Sequence, residues 1–289
     1  GANDTILLAA LQTNVTGTPD TAVNVGAAIA AGARGGDVYA VRIQGAQAGL
    51  DNGIKTIVDS GNTSSTDEDT VYIEGIRSFS DLTFTRFQMI NEGTKSLSIA
   101  YKQYLAAPDD QSVFASGKVN IFGEYNPSSP QYHIEKLQFS TATTQDGTNF
   151  LNAIQTYYLG EAKYDATRSV ELHSIAGKAN SLLIGTDDGS PTIEKFVIHT
   201  NTTTPAGAEH ENEVRIYGFD TKDTIYFDGE VPISVTSDSA WATITGNASD
   251  PHRFIVNFDS NDYLILMLDG AATLSNTQFD SINHLLKFL

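Results

Sequence analysis

Apolar and polar residues alternate along much of this chain with a period of two, the pattern of strands that bury one face. The predicted strands of the first half are G-G-D-V-Y-A-V-R-I at 35–43, I-K-T-I-V-D-S-G at 54–61 and D-T-V-Y-I-E-G at 69–75. In S-F-S-D-L-T-F-T-R-F, Leu82, Phe84 and Arg86 fall on one face and Thr83, Thr85 and Phe87 on the other. Leu97, Ile99 and Tyr101 alternate again, and G-K-V-N-I-F-G-E-Y and Y-H-I-E-K-L-Q-F read the same way. The second half continues with S-L-L-I-G, K-F-V-I-H-T, V-R-I-Y-G-F-D, D-T-I-Y-F-D-G, P-I-S-V-T, W-A-T-I-T, R-F-I-V-N-F and Y-L-I-L-M-L.

Three segments carry helical spacing instead. Residues 22–33 follow Asp20 and Thr21, either of which suits an N-cap. Residues 149–159 place Phe150, Ile154 and Tyr157 on one helical face, and the final segment does the same with Phe279, Ile282, Leu285 and Leu286 behind Ser275. The expected fold is therefore mainly β: β-sandwich or β-roll-like strands in two parts, with a few short helices. Turn signals are irregularly spaced, so a strict solenoid is not expected across the whole chain. The pattern loosens around 160–180, which sets expected modules of 1–160 and 161–289.

One heptad is written almost twice. D-T-V-Y-I-E-G runs from Asp69 to Gly75, and D-T-I-Y-F-D-G from Asp223 to Gly229. An amphipathic strand between ordinary turn residues accounts for the pattern by itself. The surroundings match as well, because each copy follows an acidic turn, a strand, a polar loop and a further strand.

Charge changes the picture. Seventeen Lys and Arg stand against 35 Asp and Glu, a formal net charge of −18. Such a surface repels a nucleic-acid duplex or an anionic bilayer, so neither is an expected partner. Solubility explains an acidic chain, and so does neutralisation of carboxylates by divalent cations. There is no cysteine, which excludes disulfides, thiolate metal sites and cysteine nucleophiles. No apolar run reaches the roughly 18 residues of a membrane helix, and the N-terminus shows no basic start or apolar core of a signal peptide. Gly1 stands where an initiator Met would, as in a fragment or a processed product. N-x-[ST] runs such as those at Asn14, Asn62, Asn201 and Asn247 do not imply glycosylation in a bacterial secreted protein, the class this composition suggests.

These stretches resemble the calcium-binding, hemolysin-type (RTX) secreted proteins of bacteria. G-A-N-D-T-I-L-L resembles one unit of the G-G-x-G-x-D-x-U-x nonapeptide. Residues 35–140 resemble the non-repetitive module that follows such repeats, through the G-D-V-Y, T-I-V-D and D-T-V-Y-I-E-G-I strands, S-D-L-T-F-T-R and Y-H-I-E-K-L-Q-F. Residues 181–229 resemble the C-terminal flank, and the segment after 270 resembles an uncleaved type I secretion signal. Glycine contributes only 24 of 289 residues, so a tandem glycine-rich array is absent and only Asp4 stands in the nonapeptide frame. The resemblance implies a secreted or cell-surface protein, calcium as the ion and the type I secretion machinery as a partner. Cell-surface polysaccharide or self-assembly would follow from an adhesive role.

Calcium takes six to eight oxygen ligands, which short turns rich in Asp, Asn and Gly supply together. The candidate ligands are Asp4, Asp51 in L-D-N-G, Asp67 and Asp69 in T-D-E-D-T, Asp187 and Asp188 in T-D-D-G, and Asp220 and Asp223 in G-F-D-T-K-D-T. A solvated turn is the competing explanation for each.

Catalytic signatures are missing. His133, His173, His199, His210, His252 and His284 are scattered and none forms H-E-x-x-H. E-H-E at 209–211 lies in a polar loop, and no G-x-S-x-G elbow or phosphate loop occurs. Tyr101, Tyr104, Tyr125 and Tyr132 are candidates for a sugar-binding face, with sheet packing as the alternative. The expected function is a non-catalytic, calcium-responsive structural module serving secretion, folding and surface anchoring or adhesion. The alternatives are the non-catalytic flank of a secreted protease or lipase, and a carbohydrate-binding module.

Overall fold

The computed structural model describes residues 5–8, 28–31, 36–41, 51–59, 68–89, 93–104, 114–128, 133–140, 154–178, 180–186, 194–200, 212–237, 252–258, 263–270 and 277–288. The chain falls into two compact units, Gly1–Thr156 and Tyr157–Leu289. Both are built from strands.

In the first unit the strands are β1 (Thr5–Leu7), β2 (Ala28–Ala31), β3 (Val38–Val41), β4 (Asp51–Val58), β5 (Thr70–Ile73), β6 (Leu82–Met89), β7 (Gly93–Tyr104), β8 (Phe114–Ile121) and β9 (Lys136–Ser140). From β1 to β6 successive strands alternate between two sheets, and β7 and β8 stay in the second before β9 returns to the first. β1, β3, β5 and β9 form one parallel ladder. β2, β4 and β8 form another, to which β7 and β6 add antiparallel. Thr5 pairs with Val38 and Val38 with Thr70, so one circuit takes 33 residues (5 to 38) and then 32 (38 to 70). The next circuit, Thr70 to Lys136, takes 66 because the β6–β7 hairpin is inserted in it. This alternation between parallel sheets is the β-roll element of the expected fold.

Alternation fills the core. Val71 and Ile73 of β5, Leu137 and Phe139 of β9, Ile57 of β4, and Val119 and Ile121 of β8 are all fully buried. Each such side chain contributes about 1.5–3 kcal/mol of transfer free energy. On β6, Leu82 and Phe84 are buried while Thr83 and Thr85 are exposed, following the sequence pattern.

The second unit contains β10 (Ile154–Leu159), which begins just before it, β11 (Glu161–Tyr164), β12 (Val170–His173), β13 (Ser181–Ile184), β14 (Lys195–His199), β15 (Asn212–Phe219) and β16 (Thr224–Asp228). It ends with β17 (Ser234–Ser237), β18 (Arg253–Asn257), β19 (Tyr263–Gly270), β20 (Thr277–Asp280) and β21 (Leu285–Phe288). β10, β13, β15 and β19 are parallel, with β18 and β17 added antiparallel. β12, β14 and β16 form a second parallel run, flanked by β11 on one side and the β21–β20 hairpin on the other, both antiparallel.

Among the described residues the predicted helices are not formed; residues 149–153, with Phe150, lie outside them. Residues 28–31 are strand β2, paired in parallel with β4; the rest of 22–33 lies outside the described residues. Residues 154–159 are strand β10, with Tyr157 and Leu159 buried at two-residue spacing. The C-terminal segment is a hairpin, and Ile282, assigned to an apolar helix face, sits in its turn at 87% exposure. In each case strand partners supplied by distant sequence outweigh local spacing. Among the described residues the one helical element is the 3₁₀ turn Phe79–Asp81, where Asp81 Oδ2 accepts from the amides of Arg77 and Ser78. Among the described residues no helix is long and apolar enough to cross a membrane.

Candidate metal centre

A parallel ladder places equivalent residues of successive circuits about 4.8 Å apart. Val38, Thr70 and Lys136 open β3, β5 and β9 and are paired in register. The residue ahead of each is acidic: Asp37, Asp69 and Glu135. Three stacked acids repel unless hydrogen bonds or counter-charge hold them. Here the side chains of Asp69 and Glu135 each bind the amide of the preceding circuit. Asp69 Oδ1 accepts from the Asp37 N–H at 2.6 Å, and Glu135 Oε2 accepts from the Asp69 N–H at 2.6 Å. The backbone continues the same row, with Thr70 N–H donating to Asp37 O at 2.8 Å and Lys136 N–H to Asp69 O at 3.0 Å.

A further carboxylate arrives from the other sheet. Asp59 directly follows β4, and its Oδ2 accepts from the Tyr39 hydroxyl. Asp37, Asp59 and Asp69 are 2%, 0% and 0% exposed, and one carboxylate oxygen from each lies within 4.8 Å of the other two. Asp69 Oδ2 is buried with no hydrogen-bond partner. Lys55, also buried, lies on the Asp59 face of β4 four residues earlier.

The electrostatics follow. Burial pushes the Asp69 carboxyl up to about 7; the Asp37 amide opposes this, and the charges of Asp59, Glu135 and Asp37 add to it. Burial likewise lifts Glu135 to about 7 against the pull of His133. The Tyr39 phenol is raised by burial and by its bond to Asp59. Deprotonating this cluster is costly without a cation.

The residues fit a hard divalent cation. Ca²⁺–oxygen distances of roughly 2.3–2.6 Å allow two oxygens of one shell to stand up to about 5 Å apart, and the three acids satisfy this. An all-oxygen donor set suits Ca²⁺, Mg²⁺ or Mn²⁺ over Zn²⁺ or Cu²⁺.

The second heptad is built alike and finished differently. Asp223 Oδ1 accepts from the Glu194 N–H at 2.9 Å, and Thr224 N–H donates to Glu194 O at 3.1 Å, reproducing the Asp69–Asp37 pairing. Asp223 Oδ2 then accepts from the Asp220 N–H at 2.8 Å. Burial raises Asp223 to about 6, opposed by these two amides. Both of its oxygens are committed to the backbone, so this copy ties a turn to the head of a ladder. In both heptads the apolar positions (Val71 and Ile73, Ile225 and Phe227) point inward. The closing glycines adopt positive φ, 79° at Gly75 and 112° at Gly229, where a side chain would be strained.

Of the ligands expected from sequence, Asp69 is in the centre and Asp220 and Asp223 meet in the second cap. Asp51 lies in β4, its backbone paired with Ser116. Asp4, Asp67, Asp187 and Asp188 lie outside the described residues, as do Tyr132 and the 209–211 loop. Asp37, Asp59 and Glu135 were not among the candidates, although each is an acid directly flanking a strand. Tyr101 and Tyr125, offered for a sugar face, are core residues at 2% and 1% exposure. Tyr104 donates to Asp81 Oδ1 at 3.0 Å beneath the Arg77 guanidinium.

No protein-family model matches the chain, and no curated protein matches it.

Proposed function

We propose that this chain is a non-catalytic structural module of a secreted or cell-surface bacterial protein of the hemolysin type, and that Ca²⁺ at Asp37, Asp59 and Asp69 stabilises the first parallel ladder. The observation that carries this reading is the buried, unpartnered Oδ2 of Asp69 beside two further buried carboxylates. Support also comes from strands that alternate between two parallel sheets, and from a repeated heptad whose Asp heads a ladder in both units. A weak extracellular site, with a Kd of about 10⁻⁴ M, is empty in the cytosol and filled outside. Folding would then follow export through the type I secretion machinery. Anchoring to surface polysaccharide or self-assembly is the use such a stiffened module would serve.

Thermal unfolding tests this. At 10 mM Ca²⁺ a site of that affinity contributes about 2.7 kcal/mol, or about 5–10 °C in Tm for a unit of this size. Asp69→Asn keeps an acceptor for the Asp37 amide but removes the charge, and is expected to lose the calcium response. An unchanged wild-type midpoint in EGTA and in Ca²⁺ contradicts the reading.

A second reading has its own observation. Burial already raises Asp69 and Glu135 to about 7, so protons shared within the cluster would neutralise the acids with no ion. It predicts calcium indifference.

A further inference from the structure

The second unit brings together two histidines that stand 26 residues apart in sequence. On β12 and β14, Leu172, Phe196 and Ile198 point into the core, while Glu171, His173, Lys195 and His199 occupy the opposite face. The imidazoles of His173 and His199 stack with centroids 5.3 Å apart and planes at 29°. His173 Nδ1 lies 3.2 Å from His199 Nε2. Each ring turns its other nitrogen to a carboxylate: His173 Nε2 is 3.2 Å from Glu171 Oε2, and His199 Nδ1 is 2.9 Å from Asp228 Oδ2. Glu171 is fixed in turn, its Oε1 accepting from Lys195 Nζ at 2.6 Å.

The row carboxylate–imidazole–imidazole–carboxylate has three gaps, each needing one proton as a hydrogen bond. Two neutral imidazoles carry one N–H apiece, so one gap goes unbridged. A cation in the central gap completes the row: each ring offers it a lone pair and donates its single N–H outward to its carboxylate. Carboxylate–histidine–metal pairing of this kind orients metal-binding imidazoles generally.

We propose that His173 Nδ1 and His199 Nε2 form a surface site for a borderline first-row divalent cation, Zn²⁺ being the natural occupant. With metal–nitrogen bonds of about 2.0–2.1 Å, two adjacent nitrogens stand about 2.9 Å apart in a square-planar shell and about 3.3 Å apart in a tetrahedral one. The observed 3.2 Å falls between them. The side chains are 14% and 20% exposed, so water can reach the open positions. The site is independent of the carboxylate centre in the first unit and differs from it in donor chemistry.

The test is a Zn²⁺ titration of the full chain by calorimetry in excess Ca²⁺, with imidazole resonances followed by NMR. One Zn²⁺ is expected at this pair, undisturbed by Ca²⁺ and retained in Asp69→Asn. His173→Gln and His199→Gln are each expected to weaken it at least tenfold, and Glu171→Gln or Asp228→Asn about tenfold. Should a variant fold poorly, the native protein still answers: sub-stoichiometric Ni²⁺ should broaden the His173 and His199 ring signals ahead of those of His133, His252 and His284. Sharp His173 and His199 signals while other histidines broaden would overturn the proposal, as would Gln variants that bind Zn²⁺ like the native chain.

Discussion

At the scale of single residues, Asp69 and Asp223 show how one motif reaches two ends. Both accept the amide of the residue heading a neighbouring strand. Asp223 spends its second oxygen on Asp220, whereas that of Asp69 is left facing Asp37 and Asp59. Burial of the carboxyls sets a pH dependence. The folded chain holds protons on Asp69 and Glu135 up to about pH 7, well above the ordinary carboxylate range. A carboxyl raised by folding contributes stability that is complete below its unfolded pKa of about 4 and is lost as pH rises through the folded value. In EGTA, Tm is therefore expected to fall between about pH 4 and pH 7, and Asp69→Asn to flatten that decline. In Ca²⁺ the decline should shrink, because the ion favours the deprotonated form. A Tm that rises steadily over this range in EGTA would rule out these protonation states. The motif itself was legible in sequence; its partners were not. Asp37 and Asp59 lie 32 and 10 residues from Asp69, and only closing the circuits of both sheets brings them to it.

At the scale of elements, two glycines test how tightly the circuits stack. A Cβ on Gly36 would lie 2.9 Å from the carbonyl oxygen of Glu68, directly beside the acidic centre. Backbone cannot step aside as a side-chain tip can, so Gly36→Ala is expected to cost about 1–3 kcal/mol in denaturant unfolding and to weaken Ca²⁺ binding. A Cβ on Gly185 would meet Glu194 Oε2 at 2.5 Å and the Phe196 ring at 2.8 Å. Glu194 Oε2 accepts the Thr186 amide at 2.7 Å. Gly185→Ala should therefore destabilise the second unit and leave the Ca²⁺ response intact. Equal effects of both substitutions on Ca²⁺ binding would argue against a centre confined to the first unit. Strands were legible wherever apolar residues alternate, as in β5, β6 and β16. The β10 and β20–β21 segments read as helices because their apolar residues also fit a three-to-four spacing. Their strand state rests on partners such as Ser181 for Tyr158 and Leu286 for Ile225 and Phe279.

At the scale of the whole molecule, a net charge of −18 is carried by a chain in which Asp37, Asp69, Glu135 and Asp223 each stand directly ahead of a strand. Circuits of 33, 32 and 66 residues in the first unit hide their repetition, since the inserted hairpin doubles the last. No fixed period is left for a sequence reading to detect, although parallel sheets are wound by turns of the chain. A calcium-stiffened ladder predicts slowed amide hydrogen exchange in β3, β5 and β9 on adding Ca²⁺, with β13, β15 and β19 unchanged. Uniform slowing in both units would point instead to general screening of the acidic surface.

The proposed calcium dependence rests on one ion at one place. Crystals soaked in millimolar Ca²⁺, with anomalous differences collected, locate it directly. A calcium-stabilised ladder predicts a peak among the carboxylates of Asp37, Asp59 and Asp69, about 2.3–2.6 Å from their oxygens. A map empty there, with a bare hydrogen-bonded cluster in that space, would contradict it.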